Sequence, residues 1–273
     1  MNRQGFCAYG AEQLLALLPV LEQPLELEKL EVIREAAVRL QACLTLFAPC
    51  FPPTRLAFWK RRLRRLIRAL NALRDHQRLL QLIPKGRVRL RLQQRIERQL
   101  SKAQQAWQRI QSDHVLNEIR GLSQRLYRLH PQTTPEGLHS TAQPSEIADY
   151  ARARWQALWR TNLKSLESGG QNAGVRWGRL QLMLTVAQML APLLPDEIPL
   201  DRLQACYQQL DAERFRERAR TLLTELKEQE RQLTLHYRGS LRGFQRVEQE
   251  FDRWLVLIDE EGITKSLSQA NGV

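Results

Sequence analysis

Apolar residues recur along this chain at steps of three and four, the spacing that aligns side chains on one face of an α-helix. From Leu25 to Phe47, the residues Leu30, Ile33, Ala37, Leu40, Leu44 and Phe47 form such a stripe and predict one buried helix face. Pro49, Pro52 and Pro53 then end the helix and force a turn. A second helix is expected from about Leu56 to Ile83, with Trp59, Leu63, Leu66, Ile67, Leu70 and Leu73 on its inner side. Pro84 and Gly86 stop it. A third begins near Arg87 and runs to about Ser112, facing inward with Leu92, Ile96, Leu100, Ala103, Trp107 and Ile110, and further helical sequence continues to Leu129. Four more helices are expected at about Ile147–Leu166, Val175–Leu194, Leu200–Arg231 and Leu241–Asp259, the last followed by a frayed tail. SGGQNAG (168–174) and PDEIP (195–199) separate them. No stretch alternates with the two-residue period of a strand, so the fold class is all-α.

The polar, proline-bearing stretch 130–146 reads as a linker and divides the chain into halves 1–135 and 136–273. The halves resemble each other. Phe47-Ala48-Pro49 is answered by Leu190-Ala191-Pro192, and ALNALRD ending at Asp75 is answered by ACYQQLD ending at Asp211. This is a weak repeat, visible in pattern more than in identity.

Charge sharpens the picture. The 273 residues carry 42 Lys and Arg against 29 Asp and Glu, a net charge of +13. Residues 55–112 alone hold 17 basic side chains and only two acids, Asp75 and Glu97. The remaining 215 residues hold 25 basic and 27 acidic side chains, so the excess is confined to the second and third helices. Such concentration points to a polyanionic partner, or to an acidic protein surface. On the second helix, Arg61, Arg64, Arg65 and Arg68 project opposite the apolar stripe, with Lys60 beside them. Asp75 falls on the arginine face, and Arg74 at the stripe's edge is aimed at a helix–helix groove. On the third, Arg87, Arg91, Arg95, Arg98, Lys102 and Arg109 fall within a strip about 80° wide that extends over about 33 Å. A solvated helix face would interleave glutamates at i,i+4; here like-charge repulsion is expected to stand uncompensated. The preference for arginine suits bidentate contacts to phosphate oxygens.

Other chemistry is absent from the pattern. No P-loop or glycine-rich phosphate cradle occurs. His76, His114, His130, His139 and His236 show no metal-ligand spacing, and Ser140 beside His139 has no scaffold for a nucleophile. Glu26, Glu28 and Glu31 read as the solvated start of a helix rather than a metal site. The tryptophans read as core or interface anchors. No metal site and no cofactor is expected, and nothing assembles into an active site. No apolar run is long enough to span a bilayer, and LLALLPVL near the start does not read as a secretion signal. Cys7, Cys43, Cys50 and Cys206 are expected to be reduced thiols of a cytoplasmic protein.

RLRRLIRALNALRDHQRLL (62–80), preceded by VRLQACLTLFAPCF (38–51), resembles the CHAD domain. That family shows a basic helix closed by Leu-Phe or Leu-Leu and a proline, then a helix closing on an Arg-Asp or Asn-Asp pair, with both repeated in a second half. Arg74-Asp75 is similar to the first pair, Leu210-Asp211 to a remnant of the second, and VRWGRLQLMLTVAQMLAPLLP (175–195) to the second basic helix. The resemblance covers roughly 25–260. It implies two pseudo-repeated four-helix bundles with a basic groove or pore between and along them. It also implies non-enzymatic binding of inorganic polyphosphate, at polyphosphate granules. The carboxylate signature of the triphosphatase domain fused to some members is missing, since Glu26 and Glu28 are followed by Leu30 instead of lysine.

This chain departs from the family pattern where Glu31 and Gly174 replace the name-giving histidines. Gln181, Leu182 and Leu184 also stand at expected basic positions. The expected phosphate contacts are Arg61, Arg64, Arg65, Arg68 and Arg74, with Arg34, Arg39 and Lys60 beside them and Arg176 and Arg179 in the second half. Arg91, Arg95, Arg98 and Lys102 would guide the rest of a long polymer. Nucleic acid is the alternative polyanion, and an acidic partner protein the alternative surface.

Overall fold

Nine α-helices make up nearly all the described residues of the computed structural model, which are 3–128, 133–134, 137–138, 144–167, 173–236 and 241–259. They are α1 (Arg3–Leu21), α2 (Leu30–Leu46), α3 (Pro53–Leu82), α4 (Arg87–Ser112), α5 (Val115–Arg128), α6 (Pro144–Glu167), α7 (Ala173–Leu190), α8 (Leu200–His236) and α9 (Leu241–Asp259). A 3-10 turn covers Ala48–Cys50, and Thr133–Thr134 pairs antiparallel with Gly137–Leu138. The all-α expectation holds. Most of the expected linker, including His130, His139 and Ser140, lies outside the described residues, as do 168–172 and the tail after Asp259. α6 starts three residues earlier than expected, at Pro144, because proline's missing N–H is tolerated in a first turn.

The helices gather into two compact units, and each draws on both halves of the chain. The first combines residues up to Asn71 with Lys102–Gln208; the second combines Ala72–Ser101 with the residues from Gln209 on.

In the first unit α1 packs on α2, α5 and α6, and α2 on α7. The stripe Leu30, Ile33, Ala37, Leu40, Leu44 and Phe47 is buried throughout, as is Trp59-Leu63-Leu66-Ile67-Leu70 of α3. α1 has no counterpart among the sequence-predicted helices. Phe6, Ala8, Ala11, Leu14 and Leu18 are fully buried, and no polar face betrays its period. Pro19 falls in its last turn, where it removes the one hydrogen bond its N–H would have given to the carbonyl of Leu15. The carbonyls at the end of α1 and beyond are satisfied from α4: Trp107 Nε1 and Gln111 Nε2 donate to Leu21 O at 3.1 and 3.3 Å, and Gln104 Nε2 donates to Leu25 O at 3.4 Å. Arg154 similarly closes α2, donating to the Thr45 and Leu46 carbonyls at 2.9 Å each.

The cysteine reading requires correction. Cys7 and Cys50 form a disulfide, with Cα atoms 5.7 Å apart, while Cys43 is a buried free thiol and Cys206 an exposed one. Packing of α1 on α2 returns Cys7 to the turn that follows α2, a proximity that spacing along the chain does not reveal. Burial pushes the Cys43 thiol far up, so it remains protonated.

The second unit has its own core, in which Leu79, Ile83, Val88 and Leu92 meet Phe215, Ala219, Leu222, Leu223, Leu226, Phe251 and Ile258. Gly86 takes φ +109° in the turn between α3 and α4, a region closed to most side chains. Beside it the Glu250 carboxylate of α9 accepts from the Arg87 and Val88 backbone N–H groups, both at 3.2 Å, and so caps α4. Arg89 closes α3 by donating to the Leu80 and Ile83 carbonyls at 3.0 and 2.7 Å.

Two measurements test the first unit. A Cβ on Gly10 would collide with the Phe47 ring, so Gly10→Ala is expected to cost about 1–3 kcal/mol by denaturant unfolding. The Cys7–Cys50 bridge spans 43 residues, so Cys50→Ser is expected to cost about 2–4 kcal/mol, matched by reduction of the parent protein with dithiothreitol.

Candidate anion-binding site

The basic residues sort by what faces them. In the second unit, acids from α8 meet arginines of α3 and α4. Arg74 donates to both oxygens of Asp211 at 3.0 and 2.8 Å, and Arg78 donates to Asp211 Oδ2 at 2.8 Å while stacking over the Phe215 ring at 4.2 Å. Reciprocally, Arg214 grips Asp75 through two hydrogen bonds of 2.8 Å. Asp75 is therefore buried instead of lying on an arginine face, and Arg74 is committed to Asp211 instead of presenting its guanidinium to a groove. Burial alone would raise the Asp211 carboxyl, but Arg74, Arg78 and Arg214 together hold it below the usual carboxylate range.

The third-helix strip is likewise compensated at its start. Arg87 and Arg91 pair with the buried Glu230 at 3.0 and 2.5 Å, and Arg95 pairs with Glu225 at 2.8 Å. The expected uncompensated repulsion is thus corrected for these three. Counting i,i+4 neighbours along one helix does not register carboxylates supplied by another helix. Glu230 titrates below its ordinary range: its burial opposes this, and Arg91 and Arg87 overcome the penalty. Arg98 and Lys102 are exposed and have no carboxylate partner among the described residues.

In the first unit α3 is divided: Arg55 pairs with Glu118 and Arg62 with Asp113, both at 2.6 Å, while four other arginines meet no acid among the described residues. Arg61, Arg64, Arg65 and Arg68 are all exposed, and no carboxylate among the described residues pairs with any of them. Arg64 and Arg68 instead donate to the carbonyls one turn back, Lys60 O and Arg64 O, at 3.2 and 3.3 Å. Lys60 is half-buried. Its ammonium is held below the usual lysine range by burial, then by Arg64 and Arg154. Arg154 belongs to this positive field, and sequence reasoning missed it because its basic side chain lies apart in sequence, on α6. Arg34 is buried against Glu31, with Nε donating to Oε2 at 2.9 Å, and Arg39 makes an exposed pair with Glu35 at 2.9 Å. Arg176 is exposed on α7.

Arg64 and Arg68 do not stand alone. A cleft of about 300 Å³ between α2, α3 and α7 is lined by both of them and by Arg179, together with Val38, Ile67, Val175 and Leu182. Two lining residues carry buried polar atoms without a hydrogen-bond partner among the described residues, Arg179 Nη1 and Asn71 Oδ1. A buried guanidinium N–H left unmatched is costly unless an acceptor reaches it, so the cleft is suited to oxygen-rich anions. Gly174 and Gln181 also line it. Among the described residues no group of three or more His, Cys, Asp or Glu could hold a metal ion, and no helix is long and apolar enough to cross a membrane.

The family model for the CHAD domain matches residues 10–182, which include every residue lining this cleft. The chain belongs to the CHAD family. CHAD domains are generally binding domains, not catalytic ones, and as a family they bind polyphosphate. A solved structure, PptA from Streptomyces chartreusis, aligns at 17% identity over 82% of this chain and 85% of that one, with a TM-score of 0.46. No curated protein matches the chain.

The ion pairs of the second unit predict an acid-labile fold. His76 is fully buried, its Nδ1 2.6 Å from Ala72 O and its Nε2 unmatched. Burial, then Arg218 and Arg95, push its pKa below the ordinary 6.5, so the neutral ring's contribution is complete above that pH and is lost as pH falls below it. Asp211 and Glu230, with depressed folded values, add a second loss below their ordinary values of 3.8 and 4.5. Stability measured by urea unfolding is expected to decline in these two steps. Asp211→Asn is expected to cost about 3–5 kcal/mol at neutral pH and to flatten the lower step.

Proposed function

We propose that the protein binds inorganic polyphosphate, without catalysing its turnover, through the arginine face of α3 and the adjoining cleft. The observation that carries this reading is the contrast between arginines. Arg74, Arg78, Arg87, Arg91, Arg95 and Arg214 of the second unit are matched by carboxylates, whereas Arg61, Arg64, Arg65 and Arg68 are exposed with no carboxylate partner among the described residues, and Arg64 and Arg68 line a cleft with Arg179. Guanidiniums held at helical spacing with no competing acid give a row of bidentate donors for phosphate oxygens, and family membership supplies the class of polymer.

Each phosphate engaged displaces condensed counterions, so affinity falls steeply with salt. Lys60, with its proton held less firmly than usual, and Arg154 extend the positive field; Arg34, Arg39 and Arg176 are further contacts in the same unit. Arg98 and Lys102 offer free charge along α4, while Arg74, Arg91 and Arg95 would contact phosphate only by giving up carboxylate partners. Association with polyphosphate granules completes the proposal; the Cys7–Cys50 disulfide removes the reduced-thiol ground for a cytoplasmic setting.

The test is a titration of labelled polyphosphate across a salt series, with DNA and RNA as competitors at matched phosphate. Changing Arg61, Arg64, Arg65 and Arg68 together to glutamate is expected to abolish binding with helicity and unfolding midpoint preserved, because none of the four packs in the core. Changing them to alanine should lower the salt slope by roughly 3, taking about 0.7 per lost phosphate contact. Polyphosphate affinity that survives the glutamate variant would overturn the site. Equal displacement by DNA would favour a general polyanion surface.

A further inference from the structure

A second cleft in the first unit shares no residue with the arginine cleft. α6 supplies Trp155, Gln156, Trp159 and Arg160, which the helical repeat places on adjoining turns, and the segment before α8 supplies Glu197 and Pro199. Its volume is about 300 Å³, at the lower end for small-molecule sites. Trp155 is 7% exposed and forms the wall, whereas Trp159 is only half-buried. The two ring centroids are 5.4 Å apart, with the planes at 41°. A planar guest held between two rings needs about 7–8 Å, so a guest here stacks on Trp159 rather than between the pair.

The polar groups restrict the guest further. Glu197 is the cleft's carboxylate, and Arg152 already holds both its oxygens at 2.7 and 2.6 Å. Arg160 and Gln156 are exposed, and neither they nor the indole N–H groups of Trp155 and Trp159 have a hydrogen-bond partner among the described residues. The cleft thus combines an aromatic face, an amide that both donates and accepts, and an unspent guanidinium. A cationic guest would meet Arg160 with Glu197 already neutralised. A bare phosphate polymer would use Arg160 and leave both indoles idle. A flat heteroaromatic ring joined to a phosphate uses the Trp159 face, the amide and the guanidinium together.

We infer that this cleft binds a nucleotide unit, its base stacked on Trp159, its phosphate on Arg160, and its polar edge against Gln156. The unit comes either as a free nucleoside phosphate or as part of a single RNA strand. This inference does not rest on polyphosphate binding, since the two clefts have no residue in common.

The test titrates the full chain with AMP, adenosine and an oligoadenylate of eight residues, following indole fluorescence and calorimetric heat, with polyphosphate affinity measured in parallel. AMP or the oligonucleotide is expected to bind saturably and quench the fluorescence, with adenosine weaker. Trp159→Ala and Arg160→Glu should each weaken binding roughly tenfold or more, and Trp159→Phe should retain most of it. Polyphosphate affinity should stay within about twofold in all three variants. Comparable affinity per nucleotide for AMP and the oligomer assigns the free nucleotide, and much tighter binding of the oligomer assigns the strand. Arg160→Glu alters an exposed side chain and carries the test if Trp159→Ala fails to fold. Absence of saturable binding to either nucleotide probe at about 5 mM, or binding that Arg160→Glu leaves unchanged, would overturn the inference.

Discussion

The placement of carboxylates decides what the arginines of this protein can do. A guanidinium lying against a buried acid is a structural element: both charges have been taken from water, and removing one strands the other at a cost of several kcal/mol. A guanidinium with no acid in reach keeps its donors for a ligand. The chain uses both options along a single run of basic sequence. Asp211 takes Arg74 and Arg78, Arg214 takes Asp75, Glu230 takes Arg87 and Arg91, and Glu225 takes Arg95. Arg61, Arg64, Arg65 and Arg68 receive none among the described residues.

The Arg74–Asp211 and Asp75–Arg214 pairs form a reciprocal brace across α3 and α8, with side-chain exposures between 3% and 14%. Less directional contacts beside it, such as the cation–π contact of Arg78 over the Phe215 ring, are compatible with several registers of one helix against another. Two doubly hydrogen-bonded ion pairs are not, because a shift of one turn would leave four buried charges unmatched. The brace therefore fixes register more than it adds net stability. The same contacts account for the Arg-Asp pattern at 74–75 without any ligand: its two members face different acids and bases of α8, and both are satisfied within the protein.

Much of the fold was legible because amphipathic helices announce their buried face. The stripes of α2 and α3 and most of that of α4 are buried as the three-and-four spacing requires. α1 was not legible, because a helix apolar on nearly every side has no phase to read. The Cys7–Cys50 link was hidden for the related reason that it depends on where α1 packs. The site was only half legible. The excess of charge in 55–112 marks the helices that carry the exposed arginines, but charge counted along a chain cannot distinguish Arg68, which faces solvent, from Arg95, which faces Glu225. That distinction is tertiary, as is the arrival of Arg179 from α7 beside Arg64 and Arg68.

The composition of the arginine cleft bears on how such a site can change while its fold stays. Gly174, Val175, Gln181 and Leu182 bring α7 to the cleft with no charge among them, and Arg179 is the one guanidinium that this helix contributes to the lining. A phosphate chain lying there meets cations mainly from the α3 side. Its contacts on the other wall are apolar or neutral and contribute little to holding it. Electrostatic binding of this kind depends on the number of cations reached along the polymer more than on enclosure at any one of them, so loss of charge from one wall lowers affinity by steps instead of abolishing it. An unpaired arginine face on a continuous helix is well suited to that regime. Successive residues supply successive contacts, and the brace at the far end of the same helix does not draw on them.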